Sequence, residues 1–233
     1  METVAGHVRA LREGDDAAKT AAAAWLGSLA DNESSRALIA EAGGIPPLVE
    51  LLRDGSAGAK LEAALALRNL AYSNPYGVLI GEAGGIPPLV DLLRDGSAEA
   101  AQALHWLAFN AANKVLIVEV GGIPPLVELL RDGSGDAKRD ATFALLNLAY
   151  YNDANAVAIA VTVGLEAIVQ LARRGSVTFI AGVDVPNEAG RLLVYNASVP
   201  AKRKAALVVA ALLGDCVPDS VPRVLKAEIG SYL

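Results

Sequence analysis

Apolar residues in this chain recur three and four positions apart, the spacing of one helix face, and the same short pattern returns several times. Residues 33–73 show it in three parts. Ala37, Leu38 and Ile39 lie near one side of a first segment, Glu33 to Ala42. Leu48, Val49, Leu51 and Leu52 give the second segment a broad apolar face. Leu61, Ala64, Leu65, Leu67, Leu70 and Ala71 serve a longer third segment, from about Ala57 to Tyr72. The punctuation agrees with helices: Gly43-Gly44 supplies a left-handed stop, Pro46-Pro47 opens the next helix where missing N–H groups cost nothing, Arg53-Asp54-Gly55 ends it, and Ser56 caps the third. A cluster such as LVELL is ambiguous in isolation. The Pro-Pro start, the Gly stop, the absence of sustained alternation and the abundance of alanine all predict helix over strand.

The unit is copied in tandem. GGIPPLVELLRDGS begins at Gly43 and returns, nearly unchanged, at Gly84 and Gly121, which are 41 and 37 residues further on in turn. Such periods belong to helical solenoids, in which each repeat buries its apolar face against its neighbours. The chain is therefore expected to form a single domain over residues 1–233, with repeats near 1–32, 33–73, 74–110, 111–152 and 153–214. The first repeat lacks its first helix: Val4 to Glu13 match a second helix and Asp15 to Asp31 a third. The fifth, with Asp153 to Val163 and Leu165 to Ser176, has lost the Gly-Gly and Pro-Pro signals. Residues 177–200 read as an insertion before a helical Ala201 to Leu213, and a last helix is expected within 219–233. One copy is short. Thirteen residues separate Ser56 from Asn69 and Ser134 from Asn147, but only nine separate Ser97 from Trp106, so about one turn should be missing from that third helix with its buried face kept in register.

Composition narrows the function. A hydrophobic content of 53% with only 5% aromatics suits closely packed helices, and a net charge of −6 argues against a nucleic-acid partner. The lone Cys216 allows neither an intrachain disulfide nor a cysteine-rich metal site. No catalytic or phosphate-binding motif is present, so neither enzymatic activity nor a cofactor is expected. His7 reads as a packed histidine and His105 as a partly exposed surface residue. Asp54, Asp95 and Asp132 belong to helix ends and not to a metal array, and Lys202-Arg203-Lys204 reads as a solvated face. The longest apolar run, Ala205 to Leu213, is too short to span a membrane, and METVAGHVRALREGDD has no secretory stretch. A cytoplasmic protein with nuclear access is expected, which makes the acceptor patterns at Asn32 and Asn196 chance occurrences.

The combination of EAGGIPPLVELLRDGS with ALRNLA at Ala66 to Ala71, ALHWLA at Ala103 to Ala108 and ALLNLA at Ala144 to Ala149 resembles the armadillo repeat family. The resemblance implies an all-α, right-handed solenoid of about five repeats, with an incomplete first repeat and a degenerate C-terminal cap. It also implies that the third helices line a groove in which an asparagine near each helix end holds the backbone of an extended peptide. One amide offers both donor and acceptor to a peptide unit, whatever its side chain. The matching positions are Ser28, Asn69, Trp106 and Asn147. Helical spacing flanks Asn69 with Leu65 and Tyr72, Trp106 with Gln102 and Phe109, and Asn147 with Phe143 and Tyr150, while Glu62, Glu99 and Asp140 would make the strip acidic.

The expected role is a protein-binding scaffold or adaptor for an extended basic or mixed peptide. The asparagines bonding locally and the aromatics filling core is the competing structural reading. Two functional alternatives also stand: self-association through incomplete ends, and a substrate-recognition module of a larger assembly such as a ubiquitin ligase. Nuclear-import adaptors of the family carry a tryptophan four residues before each groove asparagine. Here Ala24, Leu65, Gln102 and Phe143 take those places, which argues against a nuclear-localisation-signal receptor.

Overall fold

Helix caps and stops written into the repeat set the architecture. The structure, a computed structural model, describes residues 3–150 together with residues 152, 154, 155, 158, 159 and 162. The expected insertion, the later helices, Cys216 and the Lys202 cluster lie outside the described residues. Among the described residues there are eleven helices and no strand. They run as a pair, α1 (Val4–Glu13) and α2 (Asp16–Leu29), and then three triplets. These are α3 (Glu33–Glu41), α4 (Ile45–Asp54) and α5 (Ala57–Ala71); α6 (Asn74–Glu82), α7 (Ile86–Arg94) and α8 (Ala98–Leu107); and α9 (Ala111–Glu119), α10 (Ile123–Asp132) and α11 (Gly135–Ala149). The chain divides into two units, residues 1–147 and 148–233.

In the first unit the third helices start on serine caps: Ser56 Oγ accepts from the Ala59 N–H at 3.4 Å, Ser97 Oγ from Ala100 at 3.2 Å, and Ser134 Oγ from Ala137 at 3.3 Å. The first helices stop at Gly43, Gly84 and Gly121, whose φ angles of 71°, 77° and 79° fall in the left-handed region. Each following glycine donates back five residues, Gly44 to Ile39 O at 2.9 Å for example, closing the helix end in a Schellman pattern.

The short copy departs from the other two at both ends of its turn. Helices α4 and α10 run on to Asp54 and Asp132 and are followed by glycines with extended backbone, whereas α7 stops at Arg94 and Gly96 adopts φ 87°. Helix α8 then has 10 residues against 15 in α5 and α11. Its buried face keeps register: Ala100, Ala101, Ala103, Leu104 and Leu107 repeat the buried set Ala63, Ala64, Ala66, Leu67 and Leu70. The lost turn corresponds to residues 57–60 of α5, of which only Ala59 is buried, so packing survives.

Small side chains let the third helices approach. A Cβ on Gly27 of α2 would lie 3.3 Å from Ala66 Cα of α5, and α5 packs between α2 and α8 and beneath α4. Arginines tie one repeat to the next. Arg12 Nη2 at the end of α1 donates to Gly43 O at 3.1 Å, and Arg94 Nη2, at the end of α7, to Val120 O at 2.9 Å. Both carbonyls lie at the C-terminal end of a first helix, where unpaired acceptors and the helix dipole favour a cation.

The second unit contributes few described residues. Asn152 Oδ1 accepts from the Asn155 N–H at 3.0 Å as an N-cap, and Asn155 Nδ2 donates to Leu148 O at 3.0 Å.

Candidate functional site

Helices α5, α8 and α11 and the residues that follow them carry the residues singled out by the sequence, and the first unit gathers most of them. Trp106 and Tyr72 meet with ring centroids 4.6 Å apart, Trp106 and Phe109 stack at 5.7 Å and 18°, and His105 lies 5.3 Å from Phe143. These aromatics do not fill core. Tyr72 is 60% exposed, Phe109 57% and Phe143 44%. Tyr150 is also exposed and belongs to the second unit.

The asparagines are engaged by the protein itself. Asn69 Nδ2 donates to Gly27 O at 2.9 Å, and Asn147 Nδ2 to His105 O at 3.1 Å. The two bonds are the same bond in different repeats: each carbonyl belongs to the residue just before the matching position, Ser28 or Trp106, on the preceding third helix. Those carbonyls sit in the last turns of α2 and α8, where intrahelical partners run out. The asparagine thus caps its neighbour. For Asn69 the acceptor end is occupied too, taking Arg68 Nε at 2.9 Å and Nη2 at 2.8 Å.

The carboxylates are distributed unevenly. Glu62 is half-buried, and Glu99 accepts from Ser97 Oγ at 2.8 Å at the start of α8. Asp140 is 6% exposed, beside Arg139 Nε at 3.4 Å, and its burial raises the carboxyl above its usual range against the pull of Arg139. It is withdrawn from solvent.

Sequence reasoning passed over two arginines. Arg68 and Arg36 join Asp31, Asn69, Tyr72 and Trp106 around an open cavity of about 210 Å³. Arg68 Nη1 also donates to Gln102 Oε1 at 2.8 Å, linking α5 to α8. Arg36 is buried, donates to Ala30 O at 3.0 Å, pairs with Glu33 at 3.3 Å, and places its Cζ 5.3 Å from the Tyr72 ring centre. A clue to Arg68 was present, since ALRNLA has arginine where the other copies have His105 and Leu146.

His105 is half-buried among Trp106, Phe109 and Phe143, and desolvation lowers its pKa from the usual 6.5. His7 stacks on Trp25 at 4.0 Å and 3° with Nδ1 3.1 Å from Thr3 O, a packed histidine. Among the described residues no group of three or more His, Cys, Asp or Glu side chains is placed to hold a metal, and no helix is long and apolar enough to cross a membrane.

Comparison with known proteins gives a consistent answer. The family model for the armadillo/beta-catenin-like repeat matches residues 31–72 and 110–150. No curated protein sequence matches the chain. Among solved structures, an engineered protein shares 29% identity with a TM-score of 0.71, covering 99% of this chain and 96% of its own. A designed armadillo repeat protein in complex with the peptide (KR)4 shares 27% identity with a TM-score of 0.69, covering 84% of this chain and 82% of its own. Another, from computationally designed armadillo repeat proteins for modular peptide recognition, shares 25% with a TM-score of 0.71, covering 98% and 99%. With its triplets of helices, Gly-Gly stops and serine-capped third helices, the first unit has the architecture of armadillo repeats, and the family model recognises two such repeats in the chain.

Proposed function

We propose that this chain is a non-enzymatic scaffold that docks an extended segment of another protein across the ends of its third helices. The observation that carries this reading is the aromatic cluster of Tyr72, Trp106, Phe109 and Phe143, joined through His105 across three successive repeats and exposed at Tyr72, Phe109 and Phe143. A connected apolar surface of this kind costs solubility unless it is used, and rigid aromatics give contact area at little entropic cost. Beside it stand oriented polar groups, Gln102 and Arg68, of the sort that fix the register of a bound chain. The designed relatives that recognise peptides support the same role.

The bound segment is of mixed character. A purely basic one is disfavoured because Asp140 is buried and a guanidinium stands in the middle of the face. The role of the asparagines also shifts: they hold the third helices in line and so shape the face from beneath.

The test uses the exposed rings. Phe109→Ser with Phe143→Ser should leave the melting temperature within about 2 °C of the parent, as expected for exposed positions, and weaken capture of extended peptides at least about tenfold. Unchanged capture by the double variant would overturn the reading.

A further inference from the structure

We propose that Arg68 forms the subsite for an acidic side chain, Glu or Asp, of the docked segment; this rests on the docking reading above. Three of the five N–H groups that a guanidinium carries are bound to neutral amide oxygens, two to Asn69 Oδ1 and one to Gln102 Oε1. One N–H on each terminal nitrogen makes no bond among the described residues, which leaves two charged donors for a carboxylate. No carboxylate among the described residues approaches Arg68 within ion-pairing distance; Asp140 feels its field but pairs with Arg139. Arg68 is thus a half-buried cation held in one orientation by two amides, with its charge left uncompensated.

The rest of the cavity favours an anion over a cation. Trp106 and Tyr72 could in principle hold a Lys or Arg by ring contact, but Arg36 already stands over Tyr72. An incoming cation would meet two guanidiniums. Arg36 itself is satisfied by Glu33 and Ala30 O, which leaves Arg68 as the group that answers an incoming charge. Asp31 lines the same cavity and accepts from Asn32 Nδ2 at 2.7 Å, so it opposes an anion from the rim. Its field makes the proposal testable from both sides: removing Arg68 should weaken the subsite and removing Asp31 should strengthen it.

The experiment uses an array of short, C-terminally amidated peptides with Glu, Gln or Lys at the central position and mixed residues elsewhere. It is probed with the full chain and with Arg68→Gln, Arg68→Lys and Asp31→Asn. Amidation makes the side chain the carboxylate under test, and changing the peptide leaves the protein's fold untouched. Glu-centred peptides should be held about tenfold more tightly than Gln-centred ones. That preference should vanish in Arg68→Gln, fall in Arg68→Lys, which loses the planar group that the two amides orient, and grow in Asp31→Asn. A preference for Lys, equal retention of all three classes, or a Glu preference that survives Arg68→Gln overturns the subsite while leaving the docking reading intact. Failure of the full chain to hold any peptide overturns both.

Discussion

Just before Asn69, Trp106 and Asn147 in the three third helices stand Arg68, His105 and Leu146, and the difference decides the local chemistry. At 68 the cation is held by amides; at 105 the ring packs among aromatics and burial keeps it neutral. A histidine whose pKa is lowered on folding binds its proton more readily in the unfolded chain. Its contribution to stability is therefore intact above about pH 6.5 and is lost as the pH falls through that value towards the folded-state pKa. Melting curves between pH 8 and pH 5 should show a decline that is shallower in His105→Gln. Identical slopes in the two proteins would mean that the ring is not desolvated. This also explains why the histidine serves as a wall of the aromatic cluster: it is uncharged at neutral pH and can lie against Trp106 and Phe143 without desolvating a cation.

At the scale of helices, the contact between α6 and α9 hangs on one missing methyl group. A Cβ on Gly81 would overlap the Asn113 amide, which is buried and donates to Gly77 O at 2.9 Å. Gly81→Ala should cost about 1–3 kcal/mol in denaturant unfolding, and Gly81→Ala with Asn113→Ala should cost less than the sum of the single changes. Full additivity would show that the two residues do not meet. The helices themselves were legible in the chain: the predicted Glu33–Ala42, Pro-Pro and Ala57–Tyr72 segments are α3, α4 and α5 to within a residue or two, because caps, prolines and left-handed glycines act within one turn. The site was legible only in part. Spacing along one helix placed Tyr72, Gln102 and Phe109 beside Asn69 and Trp106, but the partners of Asn69 and Asn147 lie 42 residues away, at an offset of one residue from the matching position. That offset is set by how neighbouring helices slide past each other, which no single repeat encodes. The burial of Asp140 was illegible for the same reason, since it comes from the surroundings and not from its place in the helical wheel.

Over the first unit as a whole, stability is a sum of contacts between neighbours, with α5 between α2 and α8. Leu67, fully buried in α5, should cost about 2–5 kcal/mol when cut to alanine. Hydrogen exchange should then quicken in α2 and α8 along with α5. Quickening confined to α5 would mean that its neighbours stand alone. The arginines at the ends of α1 and α7 add a directional element to this sum. Each reaches forward to seal the first helix of the following triplet, so the unit that repeats in sequence differs from the unit that is closed in bonds. A shortened or recombined version divided between α2 and α3 would strand a guanidinium on one fragment and an unsealed helix end on the other; a workable seam must carry each donor along with the carbonyl it serves.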